Sequence, residues 1–215
     1  MSLSSRPRVL IADDHNLIAE AFKTLIASNF DVVATVHDGH SLIAEALSLR
    51  PDAILTDIGM PILNGLDAAW RVKRTLPNVK IIFVTVNPDP SLIAEAFRRG
   101  ASAYLLKTSA ASELVTAIRH SLQGRVYLSP SLATSASDLL NQLEDPGSTR
   151  ERLTDRQVEV LQLLAEGRSM KEAAALLDLT TRTVAFHKYR IMDSLSLHND
   201  AEIVQYAMRE HVLFS

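Results

Sequence analysis

Short apolar runs alternate with helix-period segments through roughly the first 122 residues. Runs such as Val9-Leu10-Ile11-Ala12, Ala53-Ile54-Leu55-Thr56 and Ala103-Tyr104-Leu105-Leu106 predict strands near 8–13, 30–36, 53–57, 80–85 and 103–106. Between them, apolar residues recur at three- and four-residue spacing, which predicts helices near 15–28, 39–49, 64–75, 90–99 and 109–122. Five strand–helix units in succession imply an α/β fold, a doubly wound five-stranded parallel sheet in the flavodoxin-like order. A near-repeat, (N/S)LIAEA(F/L), occurs at Asn16–Phe22, Ser41–Leu47 and Ser91–Phe97. Its polar first residue can cap a helix and its apolar spacing supplies a stripe, so it reads as three similar helix starts.

The pattern changes after residue 122. Ser129-Pro130-Ser131 and Asp145-Pro146-Gly147-Ser148 bracket one helical stretch, Leu132 to Leu143, so residues 123–150 read as a linker with a short helix. Residues 151–215 then read as four helices. Thr154-Asp155-Arg156-Gln157 and Ser169-Met170-Lys171-Glu172 fit the capping box, and Asn199-Asp200-Ala201-Glu202 is a close analogue. The turn Leu177-Asp178-Leu179 joins the second helix to a third beginning near Thr180, a helix-turn-helix spacing. On that third helix Val184, Ile191 and Leu195 share one face, and Arg182, Ala185, Phe186, Tyr189 and Asp193 another, which is free to enter a major groove.

Composition narrows the classes. A chain of 215 residues suits two small domains, each able to bury a core. Zero Cys removes disulfides, thiolate catalysis and Cys-based zinc sites. The seven His are scattered, and the close pair His37 and His40 around Asp38-Gly39 reads as a turn rather than a ligand set. No run approaches a membrane span and Met1-Ser2-Leu3-Ser4-Ser5 leads straight into a strand, so a cytoplasmic protein is expected.

The candidate chemistry lies at the ends of the strands. In a parallel sheet the carboxyl ends share one edge, which brings together Asp13 and Asp14, Asp57, Thr85 and Lys107. Three carboxylates about 5 Å apart repel by roughly 3 kcal/mol per pair at an effective dielectric near 20, so the cluster calls for a cation. Oxygen ligands alone suit Mg²⁺. A metal on Asp13, Asp14 and Asp57 could hold phosphoryl oxygens, with the Lys107 ammonium and Thr85 hydroxyl meeting the others. Asp57 is then the candidate acceptor. Taken singly, each residue has a plainer reading: an Asp after a strand caps or turns, Thr85 fills a strand, Lys107 is solvated and Tyr104 packs. It is the joint pattern that argues for chemistry.

These residues resemble the receiver domains of bacterial two-component response regulators. The matching elements are Asp13-Asp14, Asp57 followed by Met60-Pro61 and Asn64-Gly65, Thr85, and Tyr104-Leu105-Leu106-Lys107, over residues 6–122. The resemblance implies phosphorylation of Asp57 by a sensor histidine kinase. It also implies a metal site completed by the Gly59 backbone carbonyl, and a switch pair, Thr85 and Tyr104.

The second half resembles the LuxR/NarL-type DNA-binding domain. That likeness runs from Leu153 to about Leu213 through Leu153-Thr154-Asp155-Arg156-Gln157, Glu159-Val160-Leu161, Gly167, Lys171-Glu172, Thr183-Val184, His187 and Ile191-Met192. The whole chain is thus similar to the NarL/FixJ class of DNA-binding regulators. On that basis Lys171, Arg182, Thr183, Ala185, Phe186, His187, Lys188, Tyr189 and Arg190 are expected to meet double-stranded DNA, and the last helix, near Asp200 to Glu210, to pair in a homodimer. Charge supports the dimer: residues 150–215 hold nine Lys/Arg against ten Asp/Glu, so phosphate contacts are local and one copy binds weakly. Two copies on two half-sites remedy this.

Four positions depart from these patterns. Val86 follows Thr85 where receivers usually carry Ala or Gly, and could narrow access to Asp57. Thr108 follows Lys107 in place of Pro. Asp178 stands where the turn often has Gly, and tolerates left-handed backbone. Ala185 replaces a polar or charged residue. Three other readings stand beside the main one: an aspartate-nucleophile hydrolase, against which position 59 is Gly rather than a second acid; a protein-interaction adaptor; and a regulator that works without phosphorylation.

Overall fold

The computed structural model describes residues 6–135 and 153–213. The chain divides into two compact units, Met1–Asp145 and Pro146–Ser215.

The first unit is an α/β sandwich around a parallel sheet ordered β2-β1-β3-β4-β5-β6. Its strands are β1 (Arg8–Ala12), β2 (Asp31–Val36), β3 (Ala53–Thr56), β4 (Lys80–Thr85), β5 (Ala103–Leu106) and β6 (Tyr127–Leu128). The helices are α1 (Asn16–Ile26), α2 (Gly39–Leu49), α3 (Gly65–Thr75), α4 (Pro90–Arg98) and α5 (Ala110–Leu122). Helices cover both faces, so the central strands are apolar on both sides: Val9, Leu10, Ile11, Ile54, Leu55, Ile82 and Phe83 are all buried. One core layer gathers Val9, Ile11 and Leu55 with Phe22 and Ile26 of α1 and Leu114 and Ile118 of α5.

Two expectations change here. The sheet has six strands rather than five: Tyr127–Leu128, assigned by pattern to the linker, pairs in parallel with β5 through Ala103↔Tyr127 and Tyr104↔Leu128. Two residues are too few to show an alternation, and the pairing comes from the unmet edge of β5. Just beyond, Pro130–Ser135 form a short 3₁₀ helix where the predicted linker helix begins; the rest of that prediction lies outside the described residues.

The repeated LIAEA segment is also read differently by the fold. Its polar first residue does not cap: Asp38 and Asp89 do, accepting from the backbone N–H of Ser41 and Ser91, while α1 starts at His15 without a side-chain cap. An ionised carboxylate is an acceptor only, and it precedes each serine at capping distance.

The second unit has α6 (Asp155–Ala165), α7 (Met170–Leu176), α8 (Thr181–Leu195) and α9 (Asp200–Arg209). Both predicted capping boxes form, Thr154 with Gln157 and Ser169 with Glu172, and Asn199 caps α9. Val184 and Ile191 of α8 are buried with Leu161, Ala173, Ile203 and Tyr206. Asp178 takes the left-handed conformation, φ 53°, in the α7–α8 turn, as its residue type allows. Arg156 fastens that turn to α6, donating to the Leu177 carbonyl at 2.7 Å and to the Glu159 carboxylate at 2.5 Å.

Candidate functional site

In the first unit the reactive residues sit at or one step past the strand ends, where the ladder is still hydrogen-bonded. The Asp13 N–H donates to the Val36 carbonyl at 3.1 Å, the Asp57 N–H to Ala12 at 2.8 Å, and the Lys107 N–H to Thr85 at 2.8 Å. These bonds fix backbone positions before any side chain is placed. Asp57 and Asp13 are both buried.

Lys107 reaches across the sheet to them. Its Nζ lies 2.7 Å from Asp57 Oδ2 and 2.8 Å from Asp13 Oδ2. Burial alone pulls the ammonium pKa down, but hydrogen bonds to Asp13 and Asp57 and their charges outweigh it, and the net direction is up. Asp57 Oδ1 accepts from the Ile58 N–H at 2.6 Å and lies 3.4 Å from the Gly59 nitrogen. The repulsion that seemed to call for a metal is therefore met in part by Lys107.

Ligand oxygens of Asp13, Asp14 and Asp57, with a His15 ring nitrogen, all lie within 4.8 Å of one another. Asp14 is partly exposed, and its Oδ1 is 2.8 Å from His15 Nδ1. The cluster is hard, oxygen-rich and open on the Asp14 side, a donor set that fits Mg²⁺ with retained waters. Two histidines brace it, which sequence reading did not foresee. The His15 N–H donates to Asp13 Oδ1 at 2.9 Å, and His37 Nδ1 bonds the Asp13 carbonyl at 2.8 Å.

Thr85 and Tyr104 meet at one residue. The Asn87 N–H donates to Thr85 Oγ1 at 3.2 Å, and Tyr104 Oη donates to the Asn87 carbonyl at 2.7 Å. The Tyr104 ring is fully buried against Phe83. Burial, then the charges of Asp89 and Asp57, push its phenol pKa far up, so it stays a neutral donor. Asn87 takes part through its backbone, which no residue pattern announces. Val86, between the two, is 72% exposed and therefore not packed into the acidic cluster.

The β3–α3 loop explains its own motif. A Cβ on Gly65 would stand 1.8 Å from the Asp57 carbonyl oxygen, so only Gly fits behind the acceptor loop. Asn64 caps α3 by accepting from the Asp67 N–H, and its amide donates to Asp67 Oδ2 at 2.7 Å. Asp67 Oδ1 in turn takes Arg99 Nη1 at 2.7 Å, and Arg99 Nε reaches Glu95 at 2.5 Å. This chain of bonds, missed in the sequence because its members lie far apart, ties the acceptor loop to α4.

In the second unit α8 presents its predicted outer face. Arg182, Phe186, Tyr189, Arg190 and Asp193 are exposed, as is Lys171 on α7, while Thr183, Ala185 and His187 are half-buried. Thr183 shares a 2.8 Å hydroxyl contact with the cap Thr180. Lys188, expected to meet DNA, has a side chain 14% exposed, and its Nζ pairs with Asp200 at 2.5 Å, joining α8 to the start of α9.

The comparisons with known proteins agree with both halves. Residues 9–119 match the family "Response regulator receiver domain", and residues 151–207 match "Bacterial regulatory proteins, luxR family". The chain belongs to the two-component response regulators that join a receiver to a LuxR-type DNA-binding domain, and it is a transcription factor of that class. It is 31% identical over 214 residues to the oxygen regulatory protein NreC of Staphylococcus carnosus (strain TM300), covering 96% of this chain and 99% of that one. It is 32% identical over 213 residues to the transcriptional regulatory protein LnrK of Bacillus subtilis (strain 168), covering 94% and 96%. Among solved structures it is similar to the two-component response regulator RcsB–DNA complex, with 26% identity, a TM-score of 0.58, and coverage of 95% of this chain and 98% of that one. Among the described residues no helix is long and apolar enough to cross a membrane.

Proposed function

We infer that Asp57 accepts a phosphoryl group from a sensor histidine kinase, and that this controls homodimerisation and binding of double-stranded DNA by the second unit. The observation that carries the reading is the Lys107 ammonium, held 2.7 Å from Asp57 and 2.8 Å from Asp13, with Asp14 beside them at the open edge. A carboxylate oxygen of Asp57 attacks phosphorus, the donor imidazole leaves, and Lys107 stays as the cation nearest the new oxygens. Asp13, Asp14, Asp57 and, by resemblance, the Gly59 carbonyl would hold Mg²⁺, which supplies positive charge to the transferring group. Thr85 holds its hydroxyl at the same edge, and Thr85 and Tyr104 grip Asn87, so a pull on Thr85 is felt in the loop that Tyr104 anchors. Phosphorylation-independent action is separated from this reading by operator affinity and oligomeric state measured with and without the phosphoryl group: if neither changes, Asp57 does not control the second unit. On this reading the protein acts on chromosomal DNA, in the cytoplasm.

With Mg²⁺ and a small-molecule phosphodonor or the cognate kinase, Asp57 gains a base-labile acyl phosphate. Asp57→Ala abolishes it, and mass spectrometry reads the result; undiminished labelling of that variant defeats the assignment. Millimolar Mg²⁺ raises the melting temperature through linkage, and Asp14→Asn blunts the rise.

A further inference from the structure

The α8 face offers few groups that pair with polar base edges. Thr181–Leu195 contains no Asn or Gln, the side chains that bond adenine in pairs. Of its three cations, Lys188 is held by Asp200, and the Arg190 guanidinium lies over the Phe186 ring, 5.6 Å from its centroid. What projects instead is aromatic: Phe186, wholly apolar, is 57% exposed and Tyr189 66% exposed, three residues apart and hence neighbours on one helix face, with the small Ala185 beside them. Leaving two large aromatic rings in water is unfavourable unless a partner covers them. In a major groove the one apolar feature of the base pairs is the C5-methyl of thymine.

We propose that this regulator reads its operator through thymine methyl groups, with Phe186 as the main reader and Tyr189 flanking it. Arg182 sets the helix against phosphates. The inference rests on α8 being the DNA-contacting helix and goes further in naming the chemical feature read. Removing one methyl from a site that buries it weakens binding by about fourfold.

The test uses the full chain with Mg²⁺ and a small phosphodonor. Duplexes are selected from a random pool, and the best is remade with each thymine replaced in turn by deoxyuridine, which keeps every hydrogen-bonding group and deletes only the methyl. At least one thymine per half-site shows the fourfold loss with the unaltered protein. Phe186→Ala removes that discrimination, Phe186→Leu keeps it, and Arg182→Ala weakens thymine and deoxyuridine duplexes alike. If every deoxyuridine duplex binds within twofold of its parent, or if discrimination survives in both Phe186→Ala and Tyr189→Ala, the proposal is overturned while DNA binding stands. If no sequence is selected from the pool, the assignment of α8 as the reading helix falls and the proposal with it.

Discussion

The acidic edge of the receiver and the outer face of α8 are both clusters of function-bearing side chains, built by opposite means. At the edge, charges are buried and spend their bonding capacity on one another, with Lys107 serving Asp13 and Asp57 together. On α8 the groups stand in solvent and meet mainly their own helix, as Arg190 meets Phe186. A buried cluster gains strength from a low local dielectric and loses heavily when one member is removed. An exposed face divides its effect over several weak contacts. The consequences of mutation should therefore differ in size and in kind.

The sharpest break is Lys107→Met. It removes the shared cation while keeping most of the side-chain volume, and deleting one such charge-stabilising group costs on the order of a hundredfold in rate. Phosphorylation by a small donor should fall by that amount. The melting temperature should meanwhile depend more steeply on Mg²⁺, because Asp13 and Asp57 then repel without Lys107 between them. A variant that labels normally, with an unchanged Mg²⁺ response, would mean that the ammonium is a bystander.

On α8 the same kind of deletion should do less, and two cations should behave differently. Arg182 is exposed, so Arg182→Ala should lower the slope of log affinity against log salt by about 1. Lys188 is engaged by Asp200, so Lys188→Ala should leave that slope nearly intact and instead lower thermal stability by about 0.5 kcal/mol, the scale of a partly exposed pair. Equal salt slopes for the two variants would erase the distinction.

The difference between the two regions also explains what could be read from sequence. Asp13, Asp57, Thr85 and Lys107 were legible because parallel strands carry their ends to one edge, so position along each strand fixes position in space. The α8 faces were legible from a 3.6-residue period, and Val184 and Ile191 are indeed buried. What stayed hidden was set by tertiary partners. The LIAEA repeat shows this well: Leu42 and Leu92 are fully buried, but the equivalent Leu17 is 82% exposed. One heptapeptide cannot say which way its helix will be rolled. The same holds for Asp67 with Arg99, 32 residues apart, for Lys188 with Asp200, and for β6, whose pairing belongs to the edge of β5.

Among the described residues the receiver holds a β-branched side chain in left-handed backbone, whereas the left-handed non-glycine positions of the DNA-binding unit, Asp178, Ser196 and His211, are not β-branched. Ile62, in the loop between Asp57 and Asn64, has φ 69°, a conformation costly for a β-branched residue. Ile62→Asn keeps a side chain that tolerates this backbone. Relief of about 1–3 kcal/mol of strain exceeds the loss of partial burial, about 1 kcal/mol, so chemical denaturation should show a gain of about 1 kcal/mol. A loss instead would mean that Ile62 packing, not its backbone, dominates the loop.

The smallest effect separates two caps inside the DNA-binding unit, one able to titrate and one not. Thr154 and Gln157 close the box on α6, with the Thr154 N–H donating to Gln157 Oε1 at 2.7 Å. Ser169 and Glu172 close the box on α7, with the Ser169 N–H and hydroxyl donating to Glu172 Oε2 at 2.8 and 2.7 Å. The Ser169 hydroxyl, then its N–H, lower the Glu172 pKa against a small opposing effect of burial. A carboxyl lowered in the folded state stabilises above its ordinary value of 4.5, and that contribution fades as pH falls through the lowered value. Ser169→Ala should therefore cost more stability at pH 7 than at pH 3, whereas Thr154→Ala should cost the same at both, since a neutral amide does not titrate. Thermal melts of the four protein and pH combinations, each against the unaltered chain, give the comparison directly. Parallel losses for both variants across pH would show that the Glu172 charge adds nothing to the box beyond its hydrogen bonds.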